Sequence, residues 1–187
     1  MRNMIALGAL AVFLIGSFFL TKEQPTPVVG DQKSAEREVY SNAAYGLSFT
    51  HPATYVKNEI DAPGSEMRGH HVITLMHKKD LPLPVNGEGP PSITIEVYQN
   101  DLDKQTTEGW IRNSSKSNFK LGEGILATTT IGGLPALSYR WSGLYEGTTI
   151  VLAEEDWVYV LTVTYLEIGA PIVQDFSSIR ESIKISR

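Results

Sequence analysis

Cysteine is absent from the 187-residue chain. Disulfides, thiolate nucleophiles, redox pairs, zinc–thiolate sites and an anchor through a lipidated cysteine are therefore excluded. Basic residues are scarce, with 16 Lys and Arg against 21 Asp and Glu, and they form no cluster. A net charge of -5 without a basic face argues against a nucleic-acid partner, because neutralising phosphates requires such a face. Long apolar runs are missing too, with one exception.

That exception is Met4 to Leu20, where Arg2 is the only charged side chain before Lys22. At roughly 17 residues the run sits at the short end of what spans a bilayer core. It predicts an N-terminal hydrophobic helix over residues 1–21 acting as a signal anchor. Arg2 and the amino terminus stay cytoplasmic by the positive-inside bias, and the rest is extracytoplasmic. The exit Gly16-Ser17-Phe18-Phe19-Leu20-Thr21 places bulky residues where a cleavage site needs small ones, which favours an uncleaved anchor. Cleavage would instead leave a secreted domain. A buried helix of a soluble domain would carry a polar face, and this run has none.

Residues 22–39 read as a flexible linker. Pro25, Pro27 and Gly30 interleave with Glu23, Asp31, Lys33, Glu36 and Arg37, a composition with almost nothing to bury. Within it, Ser34 to Val39 has the makings of a single helical turn. Residues 40–187 then form one domain. About 145 residues can bury close to 70 per cent of their unfolded surface, so no covalent staple is needed.

Strand patterns dominate that domain. Tyr45, Leu47 and Phe49 alternate with small and polar residues until His51-Pro52 ends the run, and a short strand follows around Thr54 to Asn58. His70 to His77 and Ser92 to Gln99 are further strands, the second with Ile93, Ile95 and Val97 on one face. Between them, Lys79 to Pro91 is a proline- and glycine-rich loop. Thr107 is placed to cap a short helix that turns Trp110 and Ile111 inward. Ile125 to Ile131 and Leu134 to Trp141 flank Gly132-Gly133, a pair suited to a two-residue hairpin turn. Pro135 cannot donate to a ladder and belongs near an edge. Thr148 to Ala153 and Trp157 to Leu166 flank Glu154-Glu155-Asp156, and apolar residues on both faces of the latter mark a central strand. From Pro171, Ile172, Phe176, Ile179 and Ile183 form one helical stripe, after which Ser182 to Ile185 can turn extended. This order predicts an α+β fold: an antiparallel β-sheet of hairpins flanked by helices.

Four stretches carry a resemblance: Tyr45-Gly46-Leu47-Ser48-Phe49 with His51-Pro52; Ile131-Gly132-Gly133-Leu134-Pro135-Ala136; Trp157-Val158-Tyr159; and Phe176, Ile179, Ser182, Ile183, Lys184 and Ile185. In this order they resemble the PsbP-like family over roughly Tyr40 to Arg187, and they imply a Mog1/PsbP-like fold. The resemblance further implies a scaffold that docks on other proteins without catalysis. No photosynthetic role follows, since an anchor stands where plant PsbP has a lumen-targeting presequence.

His70, His71 and His77 lie on or beside one strand, with His71 and His77 on the same face. Those two are about 20 Å apart by strand rise, too far to share one ion on a straight strand, so they read as polar residues of a solvated strand end. Asp101 and Asp103 look like the start of a calcium loop, but its glycine and distal glutamate are missing; a strand-to-helix turn accounts for them. Glu154-Glu155-Asp156 reads as a solvated hairpin tip. Ser114, Ser115 and Ser117 lack a nearby histidine or nucleophile elbow. Of the crowded C-terminal aromatics, Trp141 and Tyr145 at a hairpin end would make a docking patch. No catalytic or metal residue and no cofactor is expected, and no ligand-binding residue is assigned. The expected role is a membrane-tethered binding or assembly module whose partners are the membrane and another extracytoplasmic or membrane protein. The alternative is a small-ligand or metal carrier using a cleft between the sheet and Lys79 to Pro91.

Overall fold

Strand-forming alternation is realised in ten extended segments of the computed structural model, which describes residues 36–63, 69–85 and 87–186. They are β1 (Arg37–Asn42), β2 (Leu47–Pro52), β3 (Tyr55–Pro63), β4 (Gly69–His77), β5 (Ile93–Gln99), β6 (Ala127–Ile131), β7 (Leu134–Ser142), β8 (Glu146–Ala153), β9 (Trp157–Tyr165) and β10 (Lys184–Ile185). Two α-helices join them among the described residues, α1 (Thr107–Asn113) and α2 (Pro171–Ser182). The anchor over residues 1–21 and most of the linker lie outside the described residues. Among the described residues no helix is long and apolar enough to cross a membrane.

The strands form two antiparallel sheets, one ordered β1-β2-β10 and the other β3-β4-β5-β9-β8-β7-β6. The architecture is therefore α+β, built on two sheets rather than one. The long-range pairing of β5 with β9 makes β9 central. Leu161 and Val163 on one face of β9 pack with Ile73, Ile95, Phe49 and Ile179. Val158 and Val160 on its other face pack with Trp110, Ile111 and Tyr139. Apolar residues on both faces are what a strand covered on both sides requires.

Helix α2 lies across β2 and β9. The Thr50 amide donates to Ser182 Oγ at 2.9 Å, and Ser182 Oγ donates to the Ile179 carbonyl at 2.7 Å, which locks the helix end onto β2. The chain then extends as β10 along β2, as the end of the apolar stripe predicts. Gly46 makes this return possible. It adopts φ 59°, and a Cβ there would lie 2.2 Å from the Ser186 carbonyl oxygen.

Several boundaries differ from the sequence reading. At the end of the expected linker, Arg37 to Val39 belong to β1 rather than to a linker or a helical turn, and the strand's charged start is acceptable on a sheet edge. Strand β2 ends on His51-Pro52 as expected but begins at Leu47, because Tyr45 belongs to a 3₁₀ turn, Ala43–Tyr45. Strand β3 is longer than Thr54 to Asn58, because β4 supplies a ladder as far as Pro63. The cap of α1 is Thr106, whose hydroxyl accepts from the Gly109 amide at 3.1 Å. Thr107 instead accepts from the Ala153 amide at 3.0 Å, tying the helix to the end of β8. The Gly132-Gly133 turn forms as expected, with φ 56° and 80°. Pro135 pairs with Thr130 of the edge strand and lies outside the β7–β8 ladder.

Candidate docking groove

Trp141 organises a groove on one face of the β7–β8 hairpin. It sits on β7 opposite Gly147 of β8, and the indole lies over that glycine. A Cβ at position 147 would fall 2.2 Å from Trp141 Cε2, so only glycine permits the arrangement. The indole Nε1 donates to Thr149 Oγ1 at 3.0 Å, and Thr149 is itself buried and bonded to Thr162 at 3.0 Å. The ring is thus held half-buried at a fixed tilt.

Beside it, a single turn of 3₁₀ helix, Asn118–Leu121, crosses the end of β7. Phe119 meets the Tyr139 ring edge-on at 5.2 Å, and Ser117 Oγ lies 3.2 Å from the Tyr139 hydroxyl. Gly122 approaches so closely that a Cβ would lie 2.4 Å from the Arg140 carbonyl oxygen. Between this crossing and the sheet opens a groove of about 570 Å³ lined by Leu121, Ile125, Ile168, Arg140, Trp141 and Glu146, among others. Ile125 and Ile168 are 67% and 78% exposed, unusual for isoleucine without a covering element. Arg140 donates to the Tyr165 hydroxyl at 3.2 Å, which raises its pKa further and fixes the cation at one wall.

The expected pairing of Trp141 with Tyr145 is not formed this way. Trp141 lines the groove, whereas the Tyr145 hydroxyl donates to the Gly89 carbonyl and fastens the β7–β8 hairpin to the proline-rich loop. Ile125 reads from the sequence as the start of a strand Ile125 to Ile131, but β6 begins at Ala127 and leaves it outside the ladder. Leu121 and Ile168 fall in no strand pattern, and sequence reasoning missed them.

The histidines do not converge. His70 stacks on Tyr98 at 4.1 Å and bonds Glu96 at 2.9 Å. His77 accepts from the Lys79 amide at 3.2 Å and meets Tyr55 edge-on. His71 corrects the reading of a solvated strand end, for it is 2% exposed. Its Nδ1 is 2.6 Å from Asp61 and its Nε2 is 3.1 Å from both Glu59 and the Tyr40 hydroxyl, while Tyr45 stacks on the ring at 4.6 Å. The longer β3 supplies Glu59 and Asp61, which is why shorter boundaries hid the cluster. Among the described residues, no group of three or more His, Asp and Glu is arranged to hold a metal ion.

Asp101 and Asp103 lie in the turn between β5 and α1, as expected, and that turn opens on Asn100. Buried, it donates to the Gln105 and Glu154 carbonyls at 3.1 and 2.7 Å and accepts from the Gln105 amide at 2.8 Å. Ser114 accepts from the Lys116 amide at 3.1 Å, a local turn contact.

The solution structure of cyanobacterial PsbP (CyanoP) from Synechocystis sp. PCC 6803 superposes on this chain with a TM-score of 0.53, covering 88% of this chain and 99% of that one at 12% identity. The fold is PsbP-like. A crystal structure from Bacteroides thetaiotaomicron VPI-5482 is similar at a TM-score of 0.50 and 8% identity, over 80% of this chain and 48% of that one, so this chain spans about half its length. No protein-family model matches the chain, and no curated protein does. At these identities the likeness is one of fold.

The PsbP-like domain has a second, smaller cavity of about 330 Å³ where the ends of the proline-rich loop, Lys79, Asp80 and Pro91, face the start of α2 at Pro171 and Asp175. This is the cleft expected beside the Lys79 to Pro91 loop. Tyr55 donates to Asp175 at 2.7 Å across its wall, and burial together with that carboxylate pushes the Tyr55 pKa well up. An aromatic wall with carboxylates suits a small polar ligand, whereas the larger groove beside Trp141 suits side chains of another protein.

Proposed function

We propose that this protein is a non-catalytic binding or assembly module, tethered to a membrane through residues 1–21, whose extracytoplasmic PsbP-like domain docks another extracytoplasmic or membrane protein. The observation that carries this reading is the groove at Trp141, where an immobilised indole, three exposed aliphatic side chains and a pinned guanidinium share one concave wall. Aromatic and arginine anchors in a water-excluding pocket are the features that concentrate binding energy at protein interfaces. Thiol chemistry is excluded by the lack of cysteine, and the His71 cluster is engaged in joining β1 to β3 and β4.

The test places a photoreactive amino acid at Ile125 or Ile168 of the full-length protein in its native membrane, with exposed Val39 as control. A discrete partner captured from the groove positions and not from Val39 supports the reading. Equal labelling at all three positions ends it.

A carrier role is the second reading, favoured by the 330 Å³ cavity beside Tyr55 and Asp175. A thermal-shift screen of the full-length protein against divalent metals and small polar ligands discriminates it. Stabilisation by one compound, lost in Asp175→Asn, selects the carrier.

A further inference from the structure

Two sheets present four edges, and three of them carry the features that keep edges from pairing. Strand β1 opens with Arg37 and Glu38, and β10 is two residues long. Strand β3 carries Lys57, Glu59 and Asp61 along its exposed length. The fourth edge, β6, reads Ala-Thr-Thr-Thr-Ile, with no charge, proline or glycine. Ala127, Thr128 and Thr130 are exposed, and no described strand pairs with its outer side. This edge also leads into the Trp141 groove, which is lined by Ala127, the first residue of β6, and by Ile125 just before it.

The geometry points to β6 as a strand-addition site that takes an extended segment of a partner protein, with the segment continuing past Ala127 to lay an apolar side chain between Ile125 and Trp141. This inference rests on the docking reading above and specifies the partner's shape. An open ladder of amides and carbonyls recognises an extended backbone and nothing else, so the occupant is a strand. The β6 threonines select β-branched and uncharged residues opposite them, by the pairing preferences of cross-strand neighbours. Beyond the edge, the carboxylates of Glu123 and Glu146 outnumber Arg140, the one cation lining the groove, and the whole chain carries a net charge of -5. Basic residues therefore flank the paired stretch of the partner.

A second copy fits less well. Five residues of edge span only about 17 Å, and stable interfaces bury on the order of 1,200–2,000 Å². Two copies would also each bring the same net charge of -5.

The experiment selects random linear peptides displayed on phage against the full-length protein in detergent micelles, then synthesises the enriched sequences. Expected are alternating β-branched peptides with basic flanks that slow hydrogen exchange at Thr128 and Thr130, whose amides face away from β7. The double substitution Thr128→Lys, Thr130→Lys touches only exposed side chains and is expected to weaken binding about tenfold or more, by placing charge on the edge. Ile125→Glu should weaken it independently. No enrichment, helical sequences, or binding that leaves β6 exchange unchanged overturns the proposal. Self-association of the wild type that the lysine pair abolishes names the second copy instead and overturns it equally. If the lysine pair still crosslinks its partner at Ile125 as the wild type does, the strand mode falls and docking at the groove stands.

Discussion

His71 and Asp61 face each other across the β3–β4 ladder, and the imidazole Nδ1 lies 2.6 Å from the carboxylate. On the far side of the ring, Tyr40 from the smaller sheet bonds both His71 and Glu59, at 3.1 and 2.8 Å. The histidine thus joins the two sheets through a polar cluster set among aromatic rings. A buried imidazole without these partners would carry an uncompensated desolvation cost.

Removing one member should be felt. Tyr40→Phe keeps the ring that stacks on Phe49 at 4.9 Å and deletes only the hydroxyl. The expected loss is about 0.5–1.5 kcal/mol, read from the urea midpoint. His71→Ala also opens a cavity and should cost roughly 2–4 kcal/mol. A Tyr40→Phe midpoint equal to that of the wild type would mean the cluster contributes nothing net.

Acid should weaken the same place. Lys57 bonded to Glu59 at 2.8 Å, helped by Tyr40, holds the Glu59 carboxyl below its ordinary value. A lowered carboxylate pKa stabilises the fold above the unfolded value and stops doing so as pH falls through the folded one. Glu59 is exposed, so the slope is shallow. Glu59→Gln should flatten the stability profile below pH 4.5, the unperturbed glutamate value, and a profile parallel to the wild type's counts against the assignment.

Alkali acts with the opposite sign. Burial raises the pKa of Tyr40, Tyr55 and Tyr98 well above 10.0 and pushes Tyr159 up to about 12. Above the ordinary tyrosine value the unfolded chain releases protons that the folded chain retains. Their contribution is therefore complete below pH 10.0 and is lost as pH climbs through the folded values. Tyrosinate absorbance followed with circular dichroism should show these rings ionising together with unfolding. Stepwise ionisation of all eight tyrosines in an intact fold would refute this.

Gly147→Ala should move the groove. The new methyl meets the indole of Trp141, which must leave its bond to Thr149. A cost of about 1–3 kcal/mol is expected from overpacking. Tryptophan emission should shift to longer wavelength as the ring is exposed, and an unchanged spectrum with unchanged stability would contradict the packing described.

Asn100→Ala should loosen the turn before α1. It leaves the Glu154 carbonyl and the Gln105 amide without their side-chain partner, at a cost of roughly 1–3 kcal/mol. Faster amide exchange at Gln105 is the local signature, and its absence would show that the turn holds by backbone alone.

Periodicity located β4, β5, β9 and α2 because each buries a regular stripe, and a stripe of period two or near 3.6 is written in the residues themselves. It also placed the Gly132-Gly133 hairpin, where two positive φ angles leave little choice of residue. The beginning of β1 and the end of β3 beyond Asn58 escaped it. Their exposed faces carry Arg37, Glu38, Glu59 and Asp61, which read as linker or loop until a neighbouring strand provides the ladder.

The chain's own composition decided that no thiol chemistry takes place and that the core needs no covalent staple, since both depend on which residues exist and not on where they meet. Pairing of β5 with β9, burial of His71 and the hollow beside Trp141 were decided only by folding. Each joins segments far apart in the chain, and the affinity of such segments resides in packing and hydrogen bonds that form only after backbone entropy has been given up across the whole sheet.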